Sequence, residues 1–193
     1  DTFLPGITRQ CMAYVRAVKG LTRKCLVLDL DGTLWGGIVG EDGPEGIRLQ
    51  RTGPGSEYYE FQGAILGLLN RGVILAVNSK NNQEDALQVI REHPDMVLRE
   101  CQFASIQINW SDKASNMRAI AEDIGIGLDS LVFLDDSPVE RAWVRHALPE
   151  VAVYDLPADP ADYVQFLQEL TDFEVLAATE EDRQRGAMYA TER

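Results

Sequence analysis

The sequence predicts an α/β protein with a Rossmann-like, doubly wound and mainly parallel sheet. Short apolar runs read as strands: "KCLVLDL", "VILAVNS", "FASIQIN" and "SLVFL". A segment with helical spacing of apolar residues separates each run from the next. Gly, Pro or a capping residue marks nearly every change of element. Strands that alternate with helices need crossover connections, and crossovers make the sheet parallel.

The elements follow in order. "TRQCMAYVRAVKG" repeats Met12, Val15 and Val18 on one helical face and stops at Gly20. "KCLVLDL" is then a buried strand. Trp35 to Gly55 holds seven glycines and two prolines, so loops and a small hairpin are expected there. "YYEFQGAILGLLNRG" places Phe61, Ile65, Leu68 and Leu69 together, with Gly72 as the C-cap candidate. After "VILAVNS", Asn82 caps a helix that ends before Pro94. "DKASNMRAIAEDIG" turns Met117, Ile120 and Ile124 inward and stops at Gly125, while "SPVE" forms a capping box with Pro138 in the first turn. "VAVYDLP" is the last expected strand and "DPADYVQFLQEL" the last helix. The expected organisation is an N-terminal helix over 1–22 packed on the core, a main domain over 23–178, and a polar tail or linker over 179–193. The chain opens on Asp1 rather than Met, as a piece of a longer protein would.

At 193 residues the chain has room for one sizeable core. A net charge of −13 excludes nucleic acid and anionic membranes as general partners. An anionic small molecule would need a locally positive pocket or a metal ion. No apolar stretch reaches the roughly 18–20 residues of a membrane span, and no secretory signal is present, so a cytoplasmic location is expected. Cys11, Cys25 and Cys101 are scattered without a CxxC pair, which argues for free thiols rather than a disulfide framework or zinc site.

In an open α/β sheet, ligands bind beyond the carboxyl ends of the strands. Four polar clusters converge there: Asp29 and Asp31; Asn78 and Ser79 with Lys80 and Asn81; Lys113; and Asp135 with Asp136. Each fits a task in phosphoryl transfer. Asp29, Asp135 and Asp136 supply hard oxygen ligands for Mg²⁺, which offsets the repulsion between neighbouring acids. Asp29 is then the nucleophile toward phosphorus, and Asp31 protonates the leaving group and later deprotonates a water. The Ser79 hydroxyl and Lys113 ammonium hold phosphate oxygens. A receiver domain of the response-regulator type uses similar residues, but there the acid pair comes early and here it comes last.

These residues resemble the haloacid dehalogenase (HAD) superfamily: "DLDGT", "NSK", Lys113 and "LDDS" match its four motifs. More narrowly, "CLVLDLDGTLWGGIVGEDG", "SKNNQEDA", "INWSDKASNMRAIAEDIGIGLDSLVFLDDSPVER" and "LPEVAVYDLP" look like the FkbH-like branch. That branch is implied to load a glyceryl unit from 1,3-bisphosphoglycerate, a phosphorylated three-carbon donor, onto an acyl carrier protein with loss of phosphate, in polyketide biosynthesis. The resemblance implies Asp29 as phosphoryl acceptor and Asp31 as acid/base. It implies Mg²⁺ on Asp29, the Asp31 carbonyl, Asp136 and Asp135, with the choice of direct ligand between Asp135 and Asp136 open. Ser79 and Lys113 would hold phosphate, and Thr33, Trp35, Lys80 and Asn81 join Ser79 as substrate contacts.

A thioester on the enzyme would need a cysteine near the aspartates. Cys25 lies four residues upstream, roughly 13 Å along an extended strand, and Cys101 precedes a strand. Acyl transfer therefore goes directly to the carrier arm, or the chain keeps only the phosphatase half. Between Thr33 and Asn78 there is no room for the lid domain of many HAD enzymes, so an open site is expected. Arg48 and Arg51 near that loop would meet an acidic carrier or serve as solubilising charges. The alternatives are a capless HAD phosphatase acting on a phosphoprotein or small phosphate ester, and a non-catalytic carrier-docking domain.

Overall fold

The computed structural model describes residues 22–174. The expected N-terminal helix with Cys11, and the tail from Thr179, lie outside the described residues. Five strands form one parallel sheet: β1 (Cys25–Leu28), β2 (Ile74–Ser79), β3 (Phe103–Ile108), β4 (Leu131–Leu134) and β5 (Ala152–Val153). Their order is β3-β2-β1-β4-β5. The helices are α1 (Val39–Asp42), α2 (Ser56–Leu69), α3 (Gln83–Glu92), α4 (Lys113–Ile124), α5 (Pro138–Ala147) and α6 (Tyr163–Glu169).

The period of two along each strand sends alternate side chains into two cores. Leu26 and Leu28, Leu75 and Val77, and Val132 and Leu134 face α2, α3 and α6 through Phe61, Ile65, Val89, Ile90 and Leu167. Cys25 and Val27, Ile74 and Ala76, and Leu131 and Phe133 face α4 and α5 through Met117, Ile120, Ile124 and Val144. Both faces are covered, which is why β1, β2 and β4 read as unbroken apolar runs. Each fully buried Leu or Val in them contributes about 1.5–3 kcal/mol.

The winding direction reverses at β1. The chain steps from β1 to β2 to β3, then crosses to β4 on the other side of β1. Asp29 and Asp135, each the residue following its strand, flank this reversal, where a parallel sheet opens a crevice.

Most capping signals hold, but the "SPVE" box is half formed, since the Ser137 N–H donates to Asp135 and the Glu140 side chain meets Lys80, and Asn70 rather than Gly72 is the C-cap of α2. Asn82 accepts from the Glu84 N–H and Ser137 from the Glu140 N–H, with Pro138 opening α5. Gly125 takes the left-handed conformation that ends α4. Two further expectations change. "VAVYDLP" pairs only at Ala152 and Val153, because Asp155 turns out to meet Arg141 and Arg145. The hairpin after Trp35 reduces to one antiparallel bridge between Gly36 and Arg48, with the single turn α1 inside it. Leu69 is half-buried, and Gln62 takes the inward place beside Phe61. Gln62 donates to the Leu34 carbonyl and accepts from the Val97 and Leu98 N–H groups, so a buried amide staples the loop after β1 to the segment before β3. The β1–β2 connection contains loops, α1 and α2, and no cap domain. Among the described residues no helix is long and apolar enough to cross a membrane.

Asp112 caps α4, accepting from the Ser115 N–H and hydroxyl, and also from the Trp143 indole. Asp112→Ala should lower stability by about 1 kcal/mol, read by urea denaturation. The Ser115 hydrogen bonds hold the Asp112 carboxyl down to about 2. A depressed carboxyl stabilises the fold above its unfolded pKa, so the difference between the two proteins should fade as the pH falls toward 2. A difference that persists unchanged in acid contradicts the assignment.

Candidate active site

The site is assembled by the loops after β1 and β4. The Asp29 N–H donates to the Leu134 carbonyl at 3.0 Å, extending the strand pairing by one residue. A tight turn follows, closed by the Thr33 and Leu34 N–H groups on the Leu30 carbonyl. Gly32 sits in this turn at φ +70°, and a Cβ there would stand 2.3 Å from Asp136 Oδ2. Both facts require glycine, because it lets the two loops close on each other. Thr33 Oγ1 accepts from the Asp136 N–H at 3.2 Å, and the Tyr163 hydroxyl donates to the Gly32 carbonyl at 3.2 Å.

Asp29, Asp135 and Asp136 each present an oxygen, and the three lie within 4.8 Å of one another. The first residue of α4 supplies the counter-charge. Lys113 Nζ stands 2.8 Å from Asp29 Oδ1 and also pairs with Asp135 Oδ2. Burial alone would lower the pKa of this ammonium, but Asp29 and Asp135 together raise it above its ordinary value. Burial, then the charge of Asp29, pushes the Asp135 carboxyl up to about 6 despite the lysine. Asp135 is occupied on both oxygens, by Lys113 and by the Ser137 N–H, whereas Asp136 faces the cavity. Asp29 Oδ1 is buried and has the Lys113 charge beside it, at an angle that makes no hydrogen bond.

Asp31 has a different environment. Its Oδ1 accepts from the Trp35 indole N–H at 2.7 Å and the Val39 N–H at 3.2 Å, and its Oδ2 from the Asn81 amide at 2.8 Å. Burial raises its pKa, with a smaller push from Asp29, and the three donors pull the other way. A carboxyl so held can exchange a proton through Oδ2, which has the fewer donors.

The site opens into a cavity of about 840 Å³ whose lining includes Asp29, Asp31, Asp136, Arg48, Tyr58 and Lys80. Trp110, 75% exposed, stands at its mouth.

Asp29, Asp31, Lys113, Asp135 and Asp136 thus come together as expected, and Ser79 ends β2 at the same edge of the sheet. The residues expected as substrate contacts divide. Lys80 lines the cavity and pairs with Glu140 at 2.6 Å. Trp35 and Thr33 are 0% exposed and Asn81 is buried, so they reach Asp31 or Asp136 rather than a ligand. These three are corrected from substrate contacts to positioning residues, because they are buried and their polar groups are already committed to Asp31 or Asp136. Ser79 is as buried, at 1% exposed, but among the described residues no such partner claims its hydroxyl. Arg141 is new: one of its guanidinium nitrogens donates to the Asp135 and Asp136 carbonyls, fixing the loop that carries both acids. Its sequence signal was a charge three residues before Val144 on the inward face of α5. Asn78 donates to the Lys113 carbonyl and accepts from Asn116, a buried network that sets the start of α4. Cys25 is walled into the core, where burial raises its thiol pKa, and Cys101 lies before β3 at the opposite edge of the sheet.

No family model and no curated protein matches the chain. Among solved structures, it is similar to the N-terminal part of a Bacteroides fragilis protein that contains a phosphatase domain and is complexed with Mg. The two share 44% identity over 90% of this chain, with a TM-score of 0.85. That similarity joins the four motifs already gathered at one sheet edge. The comparison supports the HAD resemblance of those motifs. It spans 46% of the length of that Bacteroides fragilis chain. More distant are an uncharacterized protein from Corynebacterium glutamicum (13% identity, 81% of this chain and 98% of that one, TM-score 0.49) and a HAD family enzyme from Bacteroides thetaiotaomicron in complex with magnesium and inorganic phosphate (15%, 70% and 95%, TM-score 0.46). Both are too dissimilar to bear on this site.

Lys113→Met would leave Asp29 and Asp135 buried without their cation, a change that costs about 3–5 kcal/mol. Denaturation at neutral pH should show a loss of that size. With the lysine gone, Asp135 takes up its proton at a higher pH than the value of about 6 it has beside Lys113, so the deficit should shrink as the pH falls from alkaline toward about 6. A deficit that stays constant over that range contradicts the charge assignment.

Proposed function

We propose that the chain is a Mg²⁺-dependent HAD phosphatase with an open site, and that its finer role is the FkbH-like loading of a glyceryl unit from 1,3-bisphosphoglycerate onto an acyl carrier protein. The observation that carries the phosphatase reading is the Asp29 carboxylate, buried, charge-paired and lacking a hydrogen-bond donor on Oδ1, with Asp135 and Asp136 oxygens beside it. An all-oxygen donor set of this size suits a hard cation. Asp29 and Asp136 would hold the ion, with the Asp31 carbonyl, and Asp135 would stand behind them paired to Lys113. When bound, Mg²⁺ supplies positive charge that neutralises phosphate oxygens. The Bacteroides fragilis domain complexed with Mg supports the same choice.

Asp29 attacks phosphorus as its bond to the leaving oxygen breaks, giving an aspartyl-phosphate. Asp31 Oδ2 gives its proton to the leaving oxygen, then takes one from the water that hydrolyses the acyl phosphate. Trp35, Asn81 and the Val39 N–H hold Asp31 in place through both steps. Lys113 and Ser79 answer the negative charge on the phosphoryl group.

The finer role is supported by the FkbH-like segments and by an uncapped cavity that a carrier arm can enter. Cys25 in the core and Cys101 at the far edge favour direct transfer to the carrier thiol. A cytoplasmic location belongs with this reading.

With purified chain, Mg²⁺ and an aryl phosphate, phosphate release should be measurable, and chelation should abolish it. Asp29→Asn should reduce it by at least roughly 1,000-fold; turnover surviving that change rules out the nucleophile. Intact mass spectrometry of a carrier protein incubated with 1,3-bisphosphoglycerate decides the finer role. A glyceryl mass gain is expected, phosphate release without it leaves a plain phosphatase, and neither event leaves a docking domain.

A further inference from the structure

We infer that Arg48 forms an anion subsite for a second negatively charged group on the substrate, separate from the phosphoryl group that reacts at Asp29. This rests on the phosphatase reading and extends it to the other end of the ligand.

The cavity is lined by three carboxylates and three cations. Two of the cations are already engaged. Lys80 pairs with Glu140, and Arg141 holds two loop carbonyls and Asp155. Arg48 has no acidic partner among the described residues, in a chain whose net charge is −13. Arg48 is exposed on the cavity wall, where its guanidinium adds positive potential that attracts an anion into a largely acidic molecule.

The wall is built to place it. Gly36 and Arg48 exchange backbone hydrogen bonds at 3.0 and 2.8 Å, which folds the loop back over the end of β1. A Cβ on Gly36 would stand 2.8 Å from Arg48 Nε, 3.0 Å from Arg48 Nη2 and 2.8 Å from the Tyr58 ring. The Gly36 φ needs no glycine, so the missing side chain serves space alone: it lets the guanidinium and the phenol ring converge on one point. Tyr58 is buried against this wall and also lines the cavity. A planar guanidinium held beside an aromatic ring suits a carboxylate or a second phosphate.

The test is equilibrium binding by calorimetry with Mg²⁺ present, in an Asp29→Asn background that prevents turnover. The probes are phosphoglycerate and glycerol phosphate, which differ by one carboxylate. Phosphoglycerate should bind roughly 10–100-fold more tightly, the worth of one charge-assisted contact. Adding Arg48→Gln should erase the difference, Arg48→Lys should restore part of it, and Gly36→Ala should erase it by displacing the guanidinium. Equal binding of the probes, binding of neither, or a difference that survives Arg48→Gln overturns the subsite. The aryl phosphate assay on the unsubstituted chain separately decides the phosphatase reading, so the two failures are distinguishable.

Discussion

One buried ammonium, that of Lys113, allows two carboxylates to stand side by side at the head of the sheet. Asp29 and Asp135 follow adjacent parallel strands, so the register that aligns Leu28 with Leu134 also brings the two acids together. Without a cation between them, burial and mutual repulsion would force one to keep its proton. The rest of the site is arranged to deliver that charge. Lys113 opens α4, Asp112 caps the helix behind it, and Asn78 and Asn116 anchor the turn from within the core. Removing the reason for the lysine would remove the reason for a buried amide network in an otherwise apolar interior.

Two residues along the chain, Asp31 meets the opposite logic. It has no cation, only neutral donors: an indole, a side-chain amide and a backbone N–H. Charge compensation suits a group that must stay ionised, while neutral donors in a desolvated place suit one that exchanges a proton. Neighbouring acids are thereby separated in role by their surroundings. Trp35 and Asn81 are the means, and both lie under the cavity floor rather than on it.

The architecture leaves the reacting edge open. Among the described residues no cap covers β1, and the walls come from the Gly36–Arg48 bridge on one side and from the segment between β5 and α6 on the other. Tyr163 ties that second wall to the turn after β1 through the Gly32 carbonyl, and its ring packs edge-on against Phe61 and Tyr58. Selectivity must therefore come from the walls and mouth, where Arg48, Lys80 and Trp110 stand, rather than from enclosure.

The sequence by itself determined the strands, most of the helix caps and the convergence of Asp29, Asp31, Ser79, Lys113, Asp135 and Asp136 on one edge. Periodicity and capping are local signals, and in a parallel sheet every strand end points the same way, so edge position follows from chain order alone. Only the tertiary structure decided what those residues touch. Trp35, Thr33 and Asn81 lie in or near motifs and read as ligand contacts, yet burial turns them toward Asp31 and Asp136. Gln62 satisfies backbone groups of two distant segments, and Arg141 the carbonyls of the acidic loop before its own helix, contacts that no apolar pattern announces. Hydrogen-bond partners across 28 residues, as for Gln62 and Leu34, leave no periodic trace, because they depend on how two elements pack and not on either element's own pattern.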